Sequence, residues 1–332
     1  MNDAALHLVF DVGGTQLRAA VWDADRSRLS QVHAVDAPSH ARHPELSWTE
    51  LRERLVAEMS SLRRTLDPEG HFRSVAIAFP GPVDPERRVL AAPTLWGGLG
   101  RYPYDLESDL GARWPGARIQ ILNDVSAAGY RYCGELDGTF CIVTVSTGIG
   151  NKVFSGGRPL VGCAGRGGEI GHLQIDPGLD AAVCDCGGRG HLAAYASGRG
   201  LVARAREESE RDPEGFRRSL LATEMGIHPA AITAEALALA YAADDEWATR
   251  HATRAARALA GVLAALCMGV GVERFVLIGG LAIGLGPRFA ESVRTSLVER
   301  CWRGATPAIS VKLGETDGKC ALVGAGRAAR EV

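Results

Sequence analysis

The strongest constraint on this chain is a pattern that occurs twice. An apolar run, Leu6 to Phe10, leads into Asp11-Val12-Gly13-Gly14-Thr15, and a second apolar stretch, Ala19 to Trp22, follows directly. About 135 residues further on, Phe140 to Val145 leads into Ser146-Thr147-Gly148-Ile149-Gly150. Each reads as a buried strand turned back by a glycine-threonine hairpin, so the sequence predicts an internal duplication and two related halves. Glycine at such a turn removes the Cβ and lets backbone amides approach phosphate oxygens, with Asp11 expected to face a metal between the turns. Other glycine signatures fail on context. There is no GxxxxGK(S/T) loop, and Gly324-Ala325-Gly326 lies too near the C-terminus to open a nucleotide-binding βαβ unit.

The remaining segments supply an α/β order. Leu51, Leu55, Met59 and Leu62 recur at helical spacing among charged residues, predicting an amphipathic helix from about Trp48 to Leu66. A strand is expected over Ser74 to Phe79, broken by Pro80-Gly81-Pro82. Another, Ile119 to Leu122, delivers Asn123-Asp124 to its carboxyl end before a small-residue helix starts at Val125. Gly162 to Gly190 reads as a loop rich in glycine and cysteine. Mostly helical residues then run to about Gly271, followed by a strand over Phe275 to Ile278 with Gly279-Gly280 behind it, and by an alanine-rich helix, Ala321 to Ala329. No low-complexity linker intervenes, so the two halves are expected to share a cleft.

Composition excludes several classes. Lys+Arg 37 against Asp+Glu 39 leaves a net charge of −2, so no global positive field exists to hold nucleic acid or an acidic membrane. The longest nearly uncharged apolar run, Ala258 to Val272, falls short of the ~20 residues of a membrane span and reads as a buried helix. The residues after Met1 lack the basic and apolar regions of a secretory signal, which points to the cytoplasm. Eight scattered cysteines, two of them only one residue apart at Cys184 and Cys186, turn the question from disulfides to metal ligation.

Three motifs carry chemistry. Phosphoryl transfer to a hydroxyl needs a proton acceptor beside the nucleophile and cations on the phosphates. Asp124 fits the acceptor, and Asn123 can hold other hydroxyls by donating and accepting, although an Asn-Asp pair at a strand end also serves as a helix cap. The segment Gly168-Glu169-Ile170-Gly171-His172, followed by Cys184-Asp185-Cys186-Gly187-Gly188-Arg189-Gly190-His191, holds two thiols and two imidazoles within twenty residues. That is the inventory of a tetrahedral zinc site, with Cys163 an alternative ligand to either histidine. Lys152, one of only three lysines, stands either beside the phosphates or facing solvent at a strand start.

In this order the motifs resemble the ROK family (repressor, open reading frame, kinase), sugar kinases of the actin-like ATPase (ribonuclease H-like) fold, and the likeness spans nearly the whole chain. Asp11 to Thr15 is similar to the family's first phosphate motif, Gly81-Pro82-Val83-Asp84 to its sugar-side turn, and Asn123-Asp124 to its catalytic pair. Ser146 to Gly150 resembles the second phosphate motif, and Glu169 to His172 with the CxCGxxG loop gives the most specific match. Gly279-Gly280 resembles the adenosine contact. The resemblance implies an α/β chain of two lobes with mixed sheets flanked by helices and an interlobe cleft. Residues 1–122 plus 319–332 would form the small lobe and 123–318 the large one. It implies Mg-ATP bound through Asp11, Gly13, Gly14, Thr15, Thr147, Gly148, Gly279 and Gly280, and Asp124 taking a proton from a primary hydroxyl. Gly81, Asn123, Asp124, Glu169 and His172 would hold the ring, while His172, Cys184, Cys186 and His191 ligate structural zinc. A homodimer is also implied.

Three departures bear on the substrate. The family loop usually reads CxCGxxGC with glutamate two residues later; here His191 and Ala193 occupy those positions. Ala193 cannot supply the carboxylate that grips hydroxyls at the anomeric end of glucose, and losing a charged hydrogen-bond partner costs about 1.5 to 3 kcal/mol. Asn151-Lys152 stands where the family commonly has more glycine, and Thr94 where asparagine is common. A carbocycle has no hemiacetal and tolerates such a loss. The expected substrate is therefore a modified glucose analogue, a C7-cyclitol of the valiolone or valienone type ahead of kanosamine or plain glucose. A nucleotide-binding sugar sensor is the non-enzymatic alternative. A DNA-binding repressor of the family is not expected, since the first phosphate strand is expected to start near Leu6.

Overall fold

Both predicted hairpins are present, and each seeds its own sheet. The computed structural model describes residues 6–304 and 308–329. Its strands are β1 (Leu6–Val12), β2 (Gln16–Asp23), β3 (Arg28–Leu29), β4 (His33–Asp36), β5 (Ser74–Phe79), β6 (Arg118–Asn123), β7 (Phe140–Val145), β8 (Ile149–Ser155), β9 (Arg158–Pro159), β10 (Arg274–Ile278) and β11 (Ser310–Leu313). The chain divides into two units, the first built from Met1–Asp137, Gly157–Gly167 and Asp317–Val332, the second from Gly138–Gly156 and Gly168–Thr316.

In the first unit the sheet order is β3-β2-β1-β5-β6, with β4 also on β2. β1 runs antiparallel to β2 and parallel to β5, and β5 is parallel to β6. One face of this mixed sheet is covered by the helix Trp48–Leu66, which starts in a Ser47–Glu50 capping box and buries Leu51, Leu55, Met59 and Leu62 as its spacing requires. Beside it Trp96 packs against Phe79 and Tyr104 at ring distances of 5.7 and 5.3 Å, an aromatic cluster whose truncation to alanine at Trp96 should cost about 3 to 5 kcal/mol. The other face is covered by the C-terminal helix Cys320–Ala328, which buries Leu322 and Ala325 against Val9, Ala20 and Ala76.

That helix also explains a correction to the expected boundary at 122/123. Residues 123–137 belong to the first unit, because the helix Asp124–Tyr130 packs against Cys320–Ala328 so closely that a Cβ at Gly324 would strike the Ala127 carbonyl. Arg131 adds a salt bridge to Asp317 at 2.8 Å. These contacts join residues some 190 positions apart, beyond the reach of local sequence patterns.

The strands of the second unit are ordered β11-β10-β7-β8. β7 is antiparallel to β8 and parallel to β10, and β10 is parallel to β11, so each strand has a counterpart in β6-β5-β1-β2. Its core is built on the helices Glu246–Val270 and Gly280–Val298, with Leu259, Leu263, Phe275 and Phe289 all buried. The apolar run predicted as a buried helix is the second half of Glu246–Val270, which stops at Gly271 in the left-handed region, φ 77°.

Candidate active site

The first unit presents a carboxylate and a phosphate-sized turn at the carboxyl ends of its central strands. Gly13 donates to the Gln16 carbonyl at 2.9 Å, closing the β1–β2 turn. Gly14 lies so close to the next segment that a Cβ would come 2.6 Å from the Thr94 carbonyl, which leaves only backbone here, while Thr15 is exposed. Asp11 sits opposite Arg18 in the β1–β2 register and its buried carboxylate is bonded by the Arg18 guanidinium. The residue expected to face a metal is thus already paired, and Arg18 was not anticipated because the partnership needs the register, not the motif.

At the end of β6, Asn123 performs three tasks within the unit. Its Oδ1 accepts from the Ser126 amide at 3.0 Å, capping the helix Asp124–Tyr130. Its Nδ2 donates to the Gly81 carbonyl and to Asp124 Oδ1, each at 2.9 Å. Both amide hydrogens are bonded within the unit, so Asn123 braces the carboxylate and the Gly81 turn. Asp124 Oδ1 also accepts from the Val125 amide at 2.8 Å. Two donors on one oxygen fix the plane of the carboxylate, as a positioned proton acceptor requires.

In the second unit, Ser146 donates to the Gly148 carbonyl at 2.9 Å to close the β7–β8 turn. Thr147 and Gly280 line a cavity of about 460 Å³ beside it, walled on its apolar side by Val202, Ile232 and Leu281. Arg199, Arg206 and Glu235 supply its charged groups. Sequence reasoning found Thr147 and Gly280 of this lining but missed these three, which come from helices with no motif of their own. Gly279 has φ 96° and stands against the Val145 carbonyl, so β10 can turn sharply into the helix Gly280–Val298.

The Glu169 segment lies flat on β8. Asn151, 3% exposed, donates its amide to the Gly168 carbonyl at 3.0 Å and accepts from the Ile170 amide through Oδ1 at 3.4 Å. Gly168, φ 85°, has no room for a Cβ over the Asn151 carbonyl. Lys152 is buried, with Nζ beside Gly168, and the expectation of a solvent-facing lysine is corrected: it is the fourth residue of β8 and points beneath this segment. Glu169 is exposed, and the short 3-10 turn Ile170–His172 places it and His172 within one turn.

His172, Cys184, Cys186 and His191 converge, with one ligand atom from each lying within 4.8 Å of the others. Cys184 Sγ is 3.8 Å from His172 Nδ1 and Cys186 Sγ is 3.2 Å from His191 Nδ1, separations close to the edges of a tetrahedron with zinc bonds of about 2.0 to 2.3 Å. The donor set Cys2His2 and its spacing fit zinc, and Cys163 is outside the group. Burial pushes the Cys184 thiol up. Tyr195 donates to Asp176 at 2.5 Å and accepts from the Ala182 amide at 3.0 Å, pinning the loop from below. Ala193 packs beside Cys184 on the short helix Ala193–Ala196.

Two duplicated sheets, a braced carboxylate at a strand end, two glycine turns and a Cys2His2 loop define a sugar kinase of the actin-like ATPase fold. The sequence pattern of the ROK family matches residues 8–331, and the chain belongs to that family. It is similar to a C(7)-cyclitol 7-kinase of Streptomyces hygroscopicus subsp. jinggangensis, 39% identical over 329 residues that cover 97% of this chain and 93% of the other. A 2-epi-5-epi-valiolone 7-kinase of Actinoplanes is 33% identical, covering 88% and 82%. Among solved structures, a ROK family glucokinase from Streptomyces griseus in complex with glucose and AMPPNP superimposes with TM-score 0.78 at 25% identity, covering 98% and 100%. The chain is a kinase with an alcohol group as acceptor.

Proposed function

We propose that the protein transfers the γ-phosphoryl group of ATP to the exocyclic primary hydroxyl of a C7-cyclitol of the valiolone or valienone type. Similarity along 97% of the chain to a C7-cyclitol 7-kinase carries the reading, and Ala193 beside the metal loop agrees with it. A carbocycle has no anomeric hydroxyl for a carboxylate at that position to grip.

In this reading Asp124 accepts the proton of the primary hydroxyl as its oxygen bonds to the γ-phosphorus and the bond to ADP breaks. Asn123 holds the carboxylate in the attacking geometry through Nδ2, and the Val125 amide supports the same oxygen. The amides of the Gly13–Thr15 and Thr147–Gly148 turns receive phosphate oxygens. Magnesium, when bound with ATP, supplies charge neutralisation on the phosphates, and Asp11 is the carboxylate beside the first turn. Val202, Ile232 and Leu281 form an apolar slot for the adenine, and Glu235 accepts from ribose hydroxyls. Glu169 and His172 bond the ring hydroxyls. His172, Cys184, Cys186 and His191 would hold zinc, which would order the loop and leave phosphoryl transfer to the other groups. The protein works as a cytoplasmic homodimer, which light scattering on the purified chain would test.

The test is product structure. Phosphorus-coupled NMR of the product from valienone or valiolone should place the phosphate on the exocyclic C7 oxygen. A phosphate on a ring oxygen, or no product with cyclitols and a full yield with glucose, would overturn the reading.

A further inference from the structure

The metal loop and the nucleotide cavity of the second unit are joined by an ion pair that neither motif demands. Asp185 stands between the cysteines Cys184 and Cys186, and its carboxylate lies 2.5 Å from Nε of Arg199. The same Nε donates to the Thr147 carbonyl of the second phosphate turn at 3.3 Å, and Arg199 is part of the cavity wall. A covalent path runs beside the ion pair. Residues 192–198 lead from His191 to Arg199 and are fastened at both ends. The Ala194 amide donates to the His191 carbonyl at 2.9 Å and the Gly198 amide to the Ser146 carbonyl at 2.7 Å. Ser197 Oγ then accepts from the Gly200 amide at 3.1 Å, capping the helix Gly198–Arg211.

We propose that Asp185 and Arg199 are positioning residues that couple metal binding in the loop to nucleotide binding in the cavity. The inference rests on the functional reading above, in which the loop takes zinc and the cavity takes ATP. A metal bound by Cys184 and Cys186 fixes the backbone on both sides of Asp185, so the carboxylate waits in place for the guanidinium. Arg199, with half of its side chain in solvent, is then ordered in the wall before the nucleotide arrives, and the nucleotide does not bear that entropic cost on binding. Without metal the turn keeps its backbone bonds, Gly187 to the Cys184 carbonyl and Cys184 to the Gly188 carbonyl, each 2.8 Å. The Cys184 and Cys186 side chains are then no longer tied together, and Arg199 is held less firmly by Asp185 and keeps its bond to the Thr147 carbonyl. Linkage makes the effect reciprocal: a nucleotide that favours the ordered Arg199 must tighten zinc by the same factor.

The experiment uses the full chain, a non-hydrolysable ATP analogue and a chelating dye that competes for zinc. In the wild type the analogue should bind about fivefold tighter to zinc-loaded than to stripped protein, the upper range for an exposed ion pair. The analogue should also reduce zinc transfer to the dye at equilibrium by that factor. In Asp185→Asn and in Arg199→Gln both factors should fall to about one while zinc content stays at wild-type level, and the double variant should show no further change. The dye measurement starts from loaded protein, so unfolding of the stripped chain leaves the test intact. A coupling factor that persists in both single variants, or a wild type that binds zinc and analogue independently, overturns the proposal and spares the kinase reading. A wild type that takes up neither overturns both.

Discussion

The two units use one strand order for two kinds of work. β6-β5-β1-β2 and β11-β10-β7-β8 match strand for strand, and each middle parallel strand is followed by a glycine at nearly the same backbone angle, Gly81 at φ 104° and Gly279 at φ 96°. The difference lies past the strand ends. β6 ends in Asn123 and runs straight into Asp124, whereas its counterpart β11 ends at Leu313 and continues into Gly314, whose amide returns to the Leu277 carbonyl at 2.8 Å. The first unit therefore carries the carboxylate, and the second carries the 460 Å³ cavity and the Cys2His2 loop. A duplicated scaffold fixes where side chains can be placed, and the loops decide what chemistry is placed there.

The largest effect expected from breaking this division is at Asp124. Asp124→Asn keeps the Asn123 and Val125 contacts in shape but removes the proton acceptor, so turnover should fall about 10³-fold with an unchanged melting temperature. Retained turnover would remove Asp124 from the role. Next comes the metal loop. Cys184→Ser should lose zinc, measured by atomic absorption, and lower kcat/KM for the acceptor at least about tenfold, with a smaller change for ATP. An unaltered acceptor constant in a zinc-free variant would show that the loop does not shape the acceptor site.

How legible this division was in the sequence differs between its parts. The hairpins, the Asp124 position and the convergence of His172, Cys184, Cys186 and His191 were readable, because each depends on residues close in the chain or on a strict spacing. The partners of those residues were not. Arg18 finds Asp11 only through the β1–β2 register, and Asn123 uses up its amide on Gly81, a residue 42 positions away. Arg199, Arg206 and Glu235 enter the cavity from helices that carry no motif of their own. Lys152, for which the sequence leaves a place beside the phosphates and a place in solvent equally open, is buried because Gly168 lies on top of it. The unit boundary moved for the same reason, a helix contact at Gly324 made across most of the chain.

Smaller changes sharpen the comparison. Ala193→Glu should raise kcat/KM for glucose relative to a C7-cyclitol about tenfold, the worth of one charged hydrogen bond, and a constant ratio in paired assays would separate Ala193 from specificity. The smallest effect concerns stability in acid. Burial pushes the His251 imidazole of the second unit down to about 4, with Glu208 opposing and Arg254 and Arg250 adding to the shift. In the unfolded chain this group titrates near ~6.5. As pH falls from there the unfolded chain takes the proton first, so the stability His251 contributes at neutral pH is lost progressively down to about pH 4. His251→Leu should flatten the fall of melting temperature across that window by a few degrees, roughly. An identical slope in the variant would show that other groups govern acid unfolding.

The most direct test of the central claim is a competition in one vessel, with Mg-ATP, zinc-loaded protein and equal concentrations of valienone and glucose, read as the ratio of the two phosphorylated products. The account predicts that the cyclitol 7-phosphate accumulates first and in large excess. Glucose 6-phosphate in equal or greater amount would contradict it, because Ala193 and the metal loop would then have no bearing on which ring is chosen.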